Sequence, residues 1–176
     1  MKVDKPLEKQ RTTPSNDWYM KQALKEAQKA LSKEEAPIGA IIVKDGKIIA
    51  RAHNERELKQ DATLHAEVSA IRKACRKTGS WRLTDCDMYV TLEPCAMCAG
   101  ALIQSRVKRL FIGTADPKAG AAGSVIDVLG VDQFNHKIEV HYGVLEEECS
   151  RILKDFFREL RIRKKEQKRN CSDEDC

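Results

Sequence analysis

Two short stretches, His65-Ala66-Glu67 and Pro94-Cys95-Ala96-Met97-Cys98, carry the parts of a hydrolytic zinc site. His65, Cys95 and Cys98 offer an imidazole and two thiolates, ligands that suit zinc, and three of them leave the fourth tetrahedral position open for water. A fourth protein ligand would close such a site and make it structural. Glu67 adds a carboxylate that can move protons. Cys95 and Cys98 are three apart and share a face if helical. Pro94 suits a first helical position, where a missing N–H goes unnoticed, and a helix N-terminus favours thiolate over thiol. His65 and Glu67, two apart, point about 200° from one another around a regular helix. They converge only on a pocket above the helix's N-terminal end, towards which side chains lean. The spacing therefore predicts two helix starts facing each other across one ion.

Either half alone has ordinary explanations. A Cys-x-x-Cys also describes redox pairs and buried thiols, and a His-x-Glu turns up in many helices. In this order, with Pro94 before the first cysteine, the two match the His-x-Glu…Pro-Cys-x-x-Cys signature of zinc nucleobase deaminases. In that chemistry zinc brings the pKa of its water to about 7. Hydroxide attacks C6 of an adenine while Glu67 passes a proton to N1 and later protonates the departing amine. The base must leave its stack first, which is least costly in a single-stranded loop. RNA loops are read by splayed bases, stacking and phosphate contacts.

The elements that must hold these groups follow from the rest of the chain. Its 176 residues, 41% hydrophobic and 34% charged, fit one soluble globular domain. No apolar run approaches the ~20 residues of a membrane span. The first residues lack the apolar core of a secretion signal, so the seven cysteines are read as reduced and the setting as cytoplasmic. Residues 1–15 are polar and read as a flexible lead-in. Asn16 and Asp17 are good caps for a helix carrying Trp18, Ala23, Leu24, Ala27, Ala30 and Leu31 at helical spacing. Ile38–Val43 and Lys47–Ala50 flank Asp45-Gly46, a hairpin turn signal. Residues 55–62 are charged without a period and read as a loop. A helix from about Leu64 to Arg76 would bury Val68, Ala70, Ile71 and Ala74. Strands at 87–92 and 107–113 enclose the cysteine helix, an arrangement that implies a parallel crossover. Its active residues then sit beyond the strand ends, where open α/β sheets bind ligands. Residues 114–124, rich in Gly and Ala, read as a binding loop over the pocket. A short helix at 125–129, a strand at 137–141 and a closing helix from Glu146 to about Lys165 complete the chain, with residues 166–176 as a polar tail. Adjacent Phe156 and Phe157 cannot both face the core, which leaves one free to meet a base. The net charge of +5 is concentrated in Arg158, Arg161, Arg163, Lys164, Lys165, Lys168 and Arg169, either a solvated helix end or a nucleic-acid face.

Three segments go beyond the zinc signature: residues 91–102, Asp116-Pro117-Lys118-Ala119-Gly120-Ala121-Ala122-Gly123-Ser124, and Asp155-Phe156-Phe157-Arg158. Over about residues 17–165 the chain resembles the bacterial tRNA-specific adenosine deaminases, departing from them at Ala62 and Leu64 before the histidine. The resemblance implies a three-layer α/β/α, cytidine deaminase-like fold with a mixed five-stranded sheet. It also implies one zinc per subunit, a homodimer, and conversion of adenosine to inosine at the wobble position of a tRNA anticodon stem-loop. It places Asn54 beside the flipped base, Asp116 and Lys118 in the loop, and Phe157 on the helix that meets the anticodon. A deaminase of free nucleobases or nucleosides would share the same zinc apparatus. A nucleic-acid-binding module with a structural zinc would need a fourth ligand from His53, Cys75 or Cys86.

Overall fold

Alternating side chains on the central strands create two apolar faces, and the helices settle on both. The structure, a computed structural model, describes residues 13–173. Most of the expected lead-in, the side chain of Cys171 and the end at Cys176 lie outside the described residues. In order the elements are α1 (Asn16–Leu31), β1 (Gly39–Lys44), β2 (Lys47–His53), α2 (Arg56–Lys59), α3 (Ala66–Thr78), β3 (Cys86–Leu92), α4 (Ala96–Ser105), β4 (Arg109–Thr114), β5 (Glu139–His141) and α5 (Glu146–Asp173).

The sheet runs β2-β1-β3-β4-β5. β1 is antiparallel to β2 and β3, whereas β3, β4 and β5 are mutually parallel, so the sheet is mixed as expected. On one face Ala40, Ile42, Met88, Val90, Leu110 and Ile112 pack with Ala66, Ala70 and Ala74 of α3 and with Ala99 and Leu102 of α4. On the other, Ile41, Val43, Tyr89 and Phe111 meet Tyr19, Met20 and Ala23 of α1 and Cys149 of α5. The alternation is that of strands covered on both sides. Three layers result. α1 lies so close to β1 that a Cβ on Gly39 would sit 2.5 Å from the Ala27 nitrogen, which explains the glycine.

Several boundaries differ from the sequence expectation, each for a local reason. The cap of α1 is Ser15, whose Oγ accepts from the Trp18 N–H at 3.2 Å; Asn16 and Asp17 are in the first turn. The Asp45-Gly46 turn has φ of 48° and 70°, the left-handed pair that a two-residue hairpin demands. Residues 55–62 contain the single turn α2, ended by Gln60 at φ 50°; with no buried side chain it has no apolar period to read. Residues 125–129 form no helix. Ala122 instead bridges Asp127, the Gly123 N–H reaches the Ile126 carbonyl at 3.0 Å, and Val125 and Ile126 stay exposed. Val68 is half-buried while Ser69 is buried, so α3 is rotated slightly from the expected face. α5 runs through Asp173 instead of ending near Lys165. No helix among the described residues is long and apolar enough to cross a membrane.

Candidate active site

His65 and Cys95 occupy the N-cap positions of α3 and α4, with extended backbones at ψ 153° and 173°. Caps are usually Ser, Thr, Asp or Asn, whose side chains bond back to the first turn. Here neither side chain caps its helix, so both are free to turn towards each other. Pro94 lies one residue before the cap, not at the first helical position; its carbonyl accepts from the Ala121 N–H at 2.8 Å and anchors the glycine-alanine loop. Cys98 is in the first turn of α4. His65 Nδ1 lies 3.6 Å from Cys95 Sγ and 3.5 Å from Cys98 Sγ, and the three donor atoms all fall within 4.8 Å of one another. The predicted meeting of two helix starts is therefore present.

The chemistry of this donor set fits a soft divalent cation. Cys98 and then His65 hydrogen-bond to Cys95 and pull its thiol down to about 3. Cys98 is pushed far upward, first by sharing its proton with Cys95 and then by burial. His65 is raised by its bond to Cys95. One thiolate, one shared proton and an imidazole within bonding distance are a cluster in which a cation can replace protons. Among the described residues no further His, Cys, Asp or Glu joins the three. His53 is engaged with Lys33 at 3.0 Å, Cys75 reaches the Trp81 carbonyl, and Cys86 begins β3 at the strand end remote from Cys95. A closed four-ligand site thus has no fourth donor here. Glu67, in the first turn of α3, is 4% exposed, and burial raises its carboxyl above the ordinary carboxylate range.

These groups open into a cavity of about 870 Å³ at the carboxyl ends of β3 and β4. His65, Glu67 and Cys95 line its floor, with Cys98 buried behind them. Asn54, Asp116, Lys118 and Phe157 line the same cavity, so the sequence-predicted residues come together from five separate segments. Asn54 is 5% exposed; Lys118 and Phe157 are open to solvent. Asp116 Oδ1 accepts from the Lys118 N–H at 2.9 Å, so part of the Asp116 carboxylate shapes the loop. Ala62 is exposed and Leu64 half-buried, while the Leu64 carbonyl accepts from the Glu55 N–H at 3.1 Å.

Two buried carboxylates that organise these walls escape sequence reasoning. Glu93, 2% exposed, accepts from the N–H groups of Asp116, Ala122 and Ser124 at 2.9–3.1 Å and from the Ser124 hydroxyl. Burial alone would raise its carboxyl; the hydrogen bonds outweigh burial and hold it below the usual range. Gly120 is required beside it, since a Cβ there would lie 2.5 Å from Glu93 Cδ and 2.6 Å from the Asp116 carbonyl. Glu35, 1% exposed, accepts from Asn54 and from the backbone of α2. A charged residue ending the apolar run of β3 was a signal for Glu93. Glu35, beside Lys33 and Glu34, looks like one more surface charge.

A mixed sheet, with these donors and a buried acid beyond its parallel strand ends, defines the class: an α/β deaminase of the cytidine deaminase-like fold. Residues 14–161 match the MafB19-like deaminase family. A tRNA-specific adenosine deaminase of Bacillus subtilis is 52% identical over 158 residues, covering 90% of this chain and 98% of the relative. The chain belongs to the tRNA-specific adenosine deaminase family. A solved structure from work on A-to-I editing by tRNA:A34 deaminases at the wobble position superposes with a TM-score of 0.75 and 43% identity, over 77% of this chain and 99% of that one. A guanine deaminase of Bacillus subtilis is also similar, with a TM-score of 0.56 and 41% identity over 58% of this chain and 66% of that one.

Proposed function

We propose that this chain hydrolyses adenosine to inosine at the wobble position of a tRNA anticodon, using one zinc ion per subunit held by His65, Cys95 and Cys98. The observation that carries the reading is the three-donor cluster beside buried Glu67, at the floor of a cavity rimmed by Lys118, Lys154, Phe157, Arg161 and Lys164. Zinc, when bound, supplies Lewis-acid activation that makes water a nucleophile near neutral pH. Glu67 takes the proton released by that water and delivers it to N1 as oxygen adds to C6. The carboxylate then takes the proton of the new C6 hydroxyl and gives it to N6, so that the C6–N6 bond breaks, the C6 carbonyl forms and ammonia leaves. Burial raises the Glu67 carboxyl above the ordinary carboxylate range, which helps it hold a proton between the two transfers.

Asn54, Asp116, Lys118 and Phe157 contact the extruded nucleotide and its neighbours, and the basic helix meets phosphates. An open pocket of this size admits a splayed base, which a loop presents at the least unstacking cost. Residues 16–165 form the catalytic domain, and the polar stretch 166–173 continues its last helix. The working form is a cytoplasmic homodimer, checked by sedimentation of the purified protein.

The second reading, a free-nucleobase deaminase, is favoured by the guanine deaminase likeness. One assay separates them. The purified protein is given an anticodon stem-loop with adenosine at the wobble position, or free guanine and cytidine. Inosine in the RNA with inert free bases is expected; turnover of a free base with an untouched stem-loop overturns the tRNA reading. Depletion of the protein in its own cells should remove inosine from total tRNA.

A further inference from the structure

Glu35 lies between α1 and β1, buried, yet it lines the cavity. Its Oε2 accepts from Asn54 Nδ2 at 2.8 Å and its Oε1 from the Leu58 N–H at 2.6 Å. Leu58 is in the first turn of α2, whose own N-cap residue, Glu55, makes no side-chain cap bond. One carboxylate from a distant segment thus satisfies an orphan helix donor and grips the Asn54 amide by its nitrogen. A carboxylate only accepts. Turned over, the amide would set its oxygen against Oε2, so only one of its two orientations is allowed. The two are nearly identical in shape and differ only in hydrogen bonding.

We propose that Glu35 is a positioning residue for base recognition: it locks the Asn54 amide in one orientation, so that the base edge is read with a single donor–acceptor polarity. The inference rests on the reading of Asn54 as a base contact. With Nδ2 pinned to Glu35, Asn54 keeps one nitrogen-bound hydrogen and Oδ1 in fixed places. An amide free to flip would offer donor and acceptor interchangeably and would read neither well. A purine edge, which sets acceptors and donors side by side, is the class of ligand that such a fixed amide distinguishes.

The substitution Glu35→Gln makes the test sharp. The introduced amide has nearly the same volume as the carboxylate, can still accept from Leu58, and can donate to Asn54 Oδ1, which turns the Asn54 amide over. We expect KM for the anticodon stem-loop to rise about fivefold to tenfold, the worth of one misdirected hydrogen bond, with kcat within twofold and zinc content unchanged. Because Glu35 acts through Asn54, the double variant Glu35→Gln/Asn54→Ala should be no worse than Asn54→Ala alone. Multiplying effects, or an unchanged KM in Glu35→Gln, overturn the proposal. Should that variant not fold, the wild type decides. The Asn54 side-chain amide hydrogen that points to Glu35, assigned by its loss in Asn54→Ala, must exchange slowly with water, and rapid exchange sinks the idea. The NMR readout needs no substrate, so its failure is distinct from failure of the tRNA reading, which an inert stem-loop would reveal.

Discussion

The floor of the cleft and its rim are built by opposite means. His65, Glu67, Cys95 and Cys98 sit at the caps or first turns of two helices, and their placement follows from buried backbone. Lys118, Phe157, Arg161 and Lys164 stand on a loop and a helix, open to solvent. Across the mouth, the Arg163–Glu34 pair at 2.8 Å ties α5 to the segment before β1, but both partners are exposed, and such pairs contribute little. The difference separates two jobs. On the function proposed above, the floor holds the reacting groups on two helix starts, and the rim meets the RNA by charge and stacking. Changes at the floor should therefore stop turnover and spare binding, and changes at the rim should do the reverse.

The largest effect expected is at Glu67. Glu67→Ala should lower kcat by about 10²–10⁴, the usual worth of a positioned proton carrier, while metal content by atomic emission stays at the wild-type level. Substantial deamination by that variant would break the division between floor and rim. Glu93 joins the two regions, because it follows β3 towards Cys95 and holds the loop that carries Lys118. Glu93→Ala leaves buried N–H groups without an acceptor and should lower stability on the order of 2 kcal/mol, with faster amide exchange at Ala122 and Ser124. Since its folded pKa lies below the ordinary value of 4.5, its contribution is complete above that pH and is lost as pH falls through the folded value. The stability gap between wild type and Glu93→Gln, by urea unfolding, should narrow below about pH 4; a gap that widens there refutes the role.

The same division marks what could be read from the sequence. The chemistry-bearing floor was legible because ligand identity and spacing are local properties, and the parallel β3-α4-β4 unit followed from the order of its apolar runs. The supports were not. Glu35 reaches Asn54 across β1 and β2, and Glu93 reaches Ser124 across β4, contacts that no periodicity records. Residues 125–129 misled for the same reason: the N–H groups of Val125, Ile126 and Val128 bond to Gly120 and Ala121 of the surrounding loop, and Val, Ile and Asp offer little helix propensity against it. α2 is too short to show a pattern. The cap at Cys95, in place of Pro94 at the first helical position, moved the thiols by two positions towards the helix start without changing their meeting with His65.

At the rim, removing the chain after Leu160 takes away Arg161, Arg163, Lys164 and Lys165 and should weaken stem-loop binding by roughly 10²-fold at low salt. Deamination of a free nucleoside analogue should change little. For the full chain the logarithm of affinity should fall against the logarithm of salt with a slope of about −0.7 for each phosphate neutralised. A flat series would remove the basic helix from the binding account.

The cleanest contrast lies in two adjacent phenylalanines, and the smallest effect in the exposed one of them. Phe156 is 8% exposed and Phe157 is 44% exposed, their rings edge to face at 5.2 Å. Both line the cavity, but one residue of helix rotation separates a buried ring from an exposed one. Phe156→Ala should destabilise the fold by about 3 kcal/mol or more. Phe157→Ala should leave stability within about 0.5 kcal/mol, as a surface change does. It should nevertheless weaken RNA binding by about 1 kcal/mol, the low end for a base stacked on an aromatic ring, with kcat at saturating RNA unchanged. Urea unfolding beside RNA titration reads both numbers on each variant. If Phe157→Ala bound RNA as well as wild type, stacking would have to be assigned elsewhere on the rim, and the basic side chains alone would carry the capture of the loop.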